Sequence, residues 1–169
     1  MKKFKLNNRT IILASHNTGK IAEFESLFSK YTVNIQTISM LGIEDIDETG
    51  KTFEENAIIK VKTVPDGSIG LSDDSGLFIK SLNHAPGIYS ARYAKKLGGW
   101  SKAMEKLYSE TKKKNNFSAT FHCVLALKSE NSEISIFKGE VIGKLVWPPR
   151  GANGVGYDPL LLPWHAKKP

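Results

Sequence analysis

Two long runs, Phe117–Leu127 and Glu133–Trp147, alternate apolar and polar side chains and are separated by a short stretch around Glu130 and Asn131. A period of two puts all the apolar side chains of an extended chain on one face, so the pair predicts an antiparallel hairpin with one wet face. Earlier the pattern changes. Thr10–Ala14 is a short apolar run, partly β-branched, that suits a buried strand. Ser15–Lys20 follows as a polar loop containing glycine, and Ile21, Phe24, Leu27, Phe28 and Tyr31 recur at helical spacing. Val33–Thr37 reads as a second strand. Thr52 with Glu55 has the form of a capping box opening a helix to about Val64, which Pro65, Asp66 and Gly67 stop. On it Asn56 and Lys60 are four apart and share a face. A strand from Ser68 then ends in the polar run Ser72–Gly76. Trp100 to about Lys113 forms a helix with Ala103, Met104, Leu107 and Tyr108 on one side. Strands and helices interleave without repeat or linker, which is a mixed α/β pattern.

The 169 residues fit one domain, or two small lobes, and the hydrophobic fraction of 40% and charged fraction of 24% are those of a globular protein. Apolar stretches such as Ile11–Ala14 are too short for a secretory segment, and none has the length of a membrane span. The single cysteine, Cys123, excludes an intrachain disulfide and fits a reducing cytoplasm. It sits in the alternation Ala119, Phe121, Cys123, Leu125 and reads as a strand residue without a chemical role. The net charge of +7 suits nucleic acid, an acidic surface or anionic small substrates. Its densest part, Lys112–Lys114, reads as a solvated helix end without interleaved aromatic platforms, so nucleic acid is a minor reading.

Three segments offer chemistry. Asp73 and Asp74, with Ser72, Ser75 and Gly76, form a hard oxygen cluster suited to Mg²⁺, and packed like charges favour a bound cation or a proton. Taken alone, the segment reads better as a polar turn. Ser15, His16, Asn17, Thr18, Gly19 and Lys20 lie where a helix leaves a strand, so free backbone N–H groups and a lysine would face an anion; an ordinary helix cap explains them as well. The spacing is not that of a Walker loop. Glu48 precedes Thr49 and Gly50 among other loop acids, Glu44, Asp45 and Asp47. Finally, Gly151–Pro159 carries three glycines in a pattern that lets backbone approach a neighbouring segment or a flat ligand closely.

Together, SHNTGK (Ser15–Lys20), ETGKTFEENAIIK (Glu48–Lys60), SDDSG (Ser72–Gly76), APGIYSARYA (Ala85–Ala94), FHCVLAL (Phe121–Leu127) and GANGVGYDP (Gly151–Pro159) resemble, in order and over nearly the whole chain, the inosine triphosphate pyrophosphatase family, also called dITP/XTP pyrophosphatases. The resemblance implies an α/β fold with a long twisted mixed sheet, helices on both sides, and two lobes around a central cleft, over residues 1–169 as a single domain. It implies Mg²⁺-dependent hydrolysis of ITP, dITP and XTP to the monophosphate and pyrophosphate by a cytoplasmic homodimer. By position, Ser15–Lys20 would bind the triphosphate, Glu48 and Asp74 the metal, and Ser75 the substrate. Asp74 would accept a proton from water, with Asp73 beside it and Lys60 near the phosphates, and Val155, Gly156, Tyr157 and Asp158 would lie along the base.

The family pattern has Phe where this chain has Val155, and continues past the position of Pro169 with a Ser-His-Arg motif that grips the purine. Nothing in 160–169 matches that motif; His165 lacks the following arginine. The expectation is therefore a chain with the metal and phosphate half of the site and a reduced base-recognition half. The alternatives are a degenerate relative that binds nucleotide and metal with weak or unselective turnover, and a basic nucleic-acid-binding protein.

Overall fold

The computed structural model describes residues 6–44, 46–151 and 154–164. Among them are six strands and four α-helices: β1 (Arg9–Leu13), α1 (Thr18–Phe28), β2 (Val33–Thr37), α2 (Phe53–Val61), β3 (Ile69–Ile79), α3 (Ser90–Lys96), α4 (Trp100–Lys114), β4 (Ser118–Lys128), β5 (Ile134–Leu145) and β6 (Leu161–Pro163). The strands form one sheet in the order β2-β1-β3-β4-β5-β6. β1 is parallel to β2 and β3, whereas β5 and β6 are antiparallel, so the sheet is mixed. The chain divides into two compact units. One runs to Asp74 and includes Val124–Phe137; the other comprises Ser75–Cys123 and the residues from Lys138 onward.

In the first unit β1 is buried on both faces, which is why it reads as a continuous apolar run. Ile11 and Leu13 join Phe24 of α1 and Ile69 and Leu71 of β3, with Val33 and Ile35 of β2 packed alongside. Ile12 and Ala14 face the other way, toward Ile38 and Val64. α2 reaches that second face closely because Ile12 lies opposite Gly70 of β3. A Cβ at Gly70 would fall 2.9 Å from Val64 and 3.1 Å from Val61. Ser72 Oγ donates to the carbonyl of Ala57 at 2.6 Å and fastens β3 to α2. A buried lysine, Lys128, closes the turn after α2 by donating to the Val64 carbonyl and to Asp66, both at 2.7 Å.

In the second unit Leu77 and Ile79 of β3, Ala119 of β4 and Leu145 of β5 pack with Ala94 of α3, Leu107 and Met104 of α4, and Tyr157 and Leu160.

Several boundaries differ from those expected. The helical spacing carried to Tyr31 stops at Phe28, because Ser29 Oγ takes the carbonyl of Ser26 and Tyr31 N closes a turn on Phe28. Leu27, in the last turn of α1, and Tyr31, beyond its end, are both exposed. α2 ends at Val61 rather than Val64. Thr63 and Val64 continue it with tighter bonds to Lys60 and Val61, since a residue before proline is biased out of the helical region. Strand β3 runs through Ser72–Gly76 instead of ending there. β5 exposes residues of both faces from Phe137 to Ile142, not one wet face, and β6 covers only Gly143–Leu145. Cys123 is half-buried in β4.

Candidate active site

Because β3 remains extended, Asp73 and Asp74 point to opposite faces of the strand. The two carboxylates thus lean toward different lysines, although the charge of Asp73 still reaches both Asp74 and Lys60. On the α1 side, Lys20 Nζ lies 2.8 Å from Asp73 Oδ2. On the α2 side, Asn56 Nδ2 donates to Asp74 Oδ2 at 2.9 Å, and Lys60 Nζ stands 3.7 Å from Asp74 Oδ1 and 2.6 Å from Glu48 Oε1. Asp73 and Asp74 are both buried.

Local sequence sets up each arm. Thr52 caps α2 by accepting from Glu55 N at 3.1 Å, and Glu55 returns a bond to Lys51 N at 2.6 Å, so the capping box is real, with its reciprocal arm shifted one residue. The cap fixes the start of α2, and helical spacing then turns Asn56 and Lys60 together onto Asp74. At the other lysine, the Ser15–Lys20 loop takes the form of the helix cap that the sequence leaves open. Its N–H groups are not all free: Asn17 is the N-cap of α1, and its Oδ1 accepts from Gly19 N at 3.0 Å and Lys20 N at 3.3 Å. Ser15 Oγ accepts in turn from Asn17 N. Asn17 and Thr18 are exposed, while Ser15, His16, Gly19 and Lys20 are half-buried.

The electrostatics separate the two ends of the Lys60 cluster. Burial pushes Asp74 up to about 6, with Glu48 and Asp73 adding to the rise against the opposing pull of Lys60 and the Asn56 bond. Burial alone would lower the Lys60 ammonium, but Asp74, Asp73 and Glu48 together outweigh it and hold it above the ordinary lysine value. A carboxylate near neutrality can accept a proton, beside a cation that stays charged.

Glu48 and Asp74 converge on one cation, the Lys60 ammonium, and their oxygens are of the hard type that Mg²⁺ takes. No group of three or more His, Cys, Asp or Glu side chains suited to a metal occurs among the described residues. Two carboxylates would suffice only for an ion that fills its remaining positions with water and phosphate oxygens.

The remaining expected residues belong to the second unit. Ser75 is half-buried in β3, and Val155 and Gly156 are half-buried. Tyr157 is not available to lie flat along a ligand: it is 1% exposed, its hydroxyl donates to the Ser90 carbonyl at 3.2 Å, and Trp100 meets its ring edge-on. It anchors the loop. Asp158 accepts from Val155 N at 3.3 Å and so braces the same turn. Ala152, Asn153, Asp45 and His165 lie outside the described residues. Asn56, which the sequence placed on the face of Lys60 without a role, joins the site through its bond to Asp74.

Residues 11–168 match the Ham1 family. The chain belongs to that family. It is 41% identical over 169 residues to a dITP/XTP pyrophosphatase of Agrobacterium fabrum, covering 94% of this chain and 79% of that protein. To a dITP/XTP pyrophosphatase of Listeria monocytogenes it is 41% identical over 157 residues, covering 90% and 77%. Among solved structures, a HAM1 protein from Coxiella burnetii aligns with a TM-score of 0.77 at 40% identity, over 90% of this chain and 81% of that one. A nucleoside-triphosphatase and dITP/XTP pyrophosphatase from Mycobacterium abscessus aligns with a TM-score of 0.72 at 30% identity, over 93% and 85%.

Proposed function

We propose that this Ham1 protein hydrolyses deaminated purine nucleoside triphosphates, ITP, dITP and XTP, to the monophosphate and pyrophosphate. The observation that carries the reading is the pair of lysine–carboxylate clusters on opposite faces of β3, Lys20 with Asp73 and Lys60 with Glu48 and Asp74, in a chain about 40% identical to dITP/XTP pyrophosphatases.

Lys20 and Lys60 supply the positive charge that a triphosphate requires, and both now sit against carboxylates that substrate phosphates would replace as partners. Water attacks the α-phosphorus, the bond from that phosphorus to the bridging oxygen of the β-phosphate breaks, and pyrophosphate leaves. The proton released by the water passes to Asp74. Mg²⁺ would be held by Glu48 and Asp74, and when bound supplies charge stabilisation for the phosphate oxygens. Lys60 adds to that stabilisation as the leaving group gathers charge. By resemblance to the family alone, Val155, Gly156, Tyr157 and Asp158 are further proposed as base-contacting residues.

The protein is further proposed to act in the cytoplasm as a homodimer. None of its described helices is long and apolar enough to cross a membrane. The test is pyrophosphate release from dITP, XTP, ATP and GTP with Mg²⁺ or with EDTA. The reading expects metal-dependent release that favours dITP or XTP. Equal turnover of all four would support an unselective relative, and no release by the folded protein would overturn the enzymatic reading.

A further inference from the structure

Asn56 is fully buried and uses both ends of its amide. Gly50 N donates to its Oδ1 at 2.8 Å, and its Nδ2 donates to Asp74 Oδ2 at 2.9 Å. The assignment of the two ends is forced. A backbone N–H can meet only an acceptor, so the oxygen faces Gly50 and the NH₂ faces the carboxylate. Gly50 follows Glu48 by two residues, so one side chain ties the segment carrying Glu48 to the strand carrying Asp74. Gly50 is required for the approach: a Cβ there would lie 2.5 Å from Asn56 Oδ1, 2.7 Å from Glu55 Cβ and 2.9 Å from Asn56 N.

We infer that Asn56, seated against Gly50, is a positioning residue that sets the spacing of Glu48 and Asp74 and turns Asp74 Oδ1 toward the cation position. The bond to Oδ2 fixes the carboxylate plane, and Oδ1 is the oxygen that faces Lys60 Nζ. The link is specific to an amide of this length. A carboxylate has no donor for Asp74, a hydroxyl spans only one of the two partners, and an aliphatic side chain leaves Gly50 N and Asp74 without this bond in a buried place. Partners of this kind, which orient ligating carboxylates without touching the ion, typically contribute about 10-fold to 100-fold in metal affinity or activity.

The inference rests on the proposed reading of Glu48 and Asp74 as the cation site, and a binding readout separates the two. Mn²⁺ binding by electron paramagnetic resonance and dITP turnover at saturating Mg²⁺ are measured for the unaltered chain, Asn56→Ala, Gly50→Ala and the double variant, with thermal unfolding followed by circular dichroism. The expected result is a dissociation constant for Mn²⁺ raised about 10-fold to 100-fold in each single variant, with kcat lowered by a similar factor and KM little changed. The double variant is then no worse than the worse single, because both break one link. Asn56→Ser, which keeps a small polar group, serves if the alanine variant does not fold. Mn²⁺ affinity and kcat at the level of the unaltered chain in any folded variant overturn the inference, as does full additivity in the double variant. If the unaltered chain binds no Mn²⁺, the cation-site reading fails and the inference falls with it; if it binds Mn²⁺ without turnover, the binding comparison still decides the role of Asn56.

Discussion

The two sides of β3 carry adjacent aspartates in opposite circumstances. Asp73 meets a lysine at 2.8 Å, a close ion pair between α1 and the strand. Asp74, one residue on, has an amide at 2.9 Å and a lysine at 3.7 Å, that lysine being shared with Glu48. The α1 side is a satisfied pair. The α2 side is an unevenly compensated cluster in which burial keeps one carboxylate close to protonation, at about 6. A strand thus gives two neighbouring acids different partners within one electrostatically linked cluster, one against the α1 lysine and the other against the amide and lysine of α2.

Lys60→Met removes the cation between Glu48 and Asp74 and should lower dITP turnover about 100-fold to 1,000-fold, the scale for losing one preorganised charge stabiliser. Lys20→Met acts on the other side and should mainly raise KM, by about 10-fold to 100-fold, as expected for loss of one charged hydrogen-bonding partner of a phosphate. Steady-state kinetics on both variants checks the division, which breaks if the two profiles coincide.

Stability distinguishes the sides in the metal-free protein. The folded-state pKa of Asp74 is raised from 3.8 to about 6, so between those values the fold holds a proton that the unfolded chain has released. Stability from this group is full below about pH 3.8, falls as pH rises, and the penalty is complete above about 6. Asp74→Asn removes the penalty and should be more stable than the unaltered chain by about 2–3 kcal/mol at pH 7.5. The gap should narrow toward pH 4 in urea unfolding, and Mg²⁺ should narrow it at pH 7.5 by stabilising only the chain that keeps the carboxylate. The smallest effect belongs to the α1 side. Asn17→Ala loses the cap on Gly19 and Lys20 and should cost about 1 kcal/mol in the same unfolding assay, without a pH-dependent gap.

Much of this arrangement was legible in the sequence wherever local chemistry decides local structure. Thr52 and Glu55 announced the start of α2, and the spacing of Asn56 and Lys60 put them on one face. The apolar run Thr10–Ala14 announced a central strand. Where tertiary context decides, less was legible. Ser72–Gly76 has the composition of a turn, but the neighbours of β3 in the sheet keep it extended, and this is what separates the two aspartates. Asn17 shows the same limit on a smaller scale. A polar residue before a helix offers either free N–H groups for a ligand or a side chain that caps them, and only its rotamer distinguishes the two. Tyr157 resembled a ligand contact in its glycine-rich loop, yet its ring packs against Trp100 and its hydroxyl bonds Ser90, contacts distant in sequence.

The most direct test is to compare Asp73→Asn with Asp74→Asn in pyrophosphate release from dITP at saturating Mg²⁺. Asp74→Asn should lose about 100-fold to 10,000-fold in kcat as a stably folded protein, while Asp73→Asn stays within about tenfold of the unaltered chain and shifts chiefly in KM. Loss of turnover in Asp73→Asn with turnover retained in Asp74→Asn would contradict that assignment of roles.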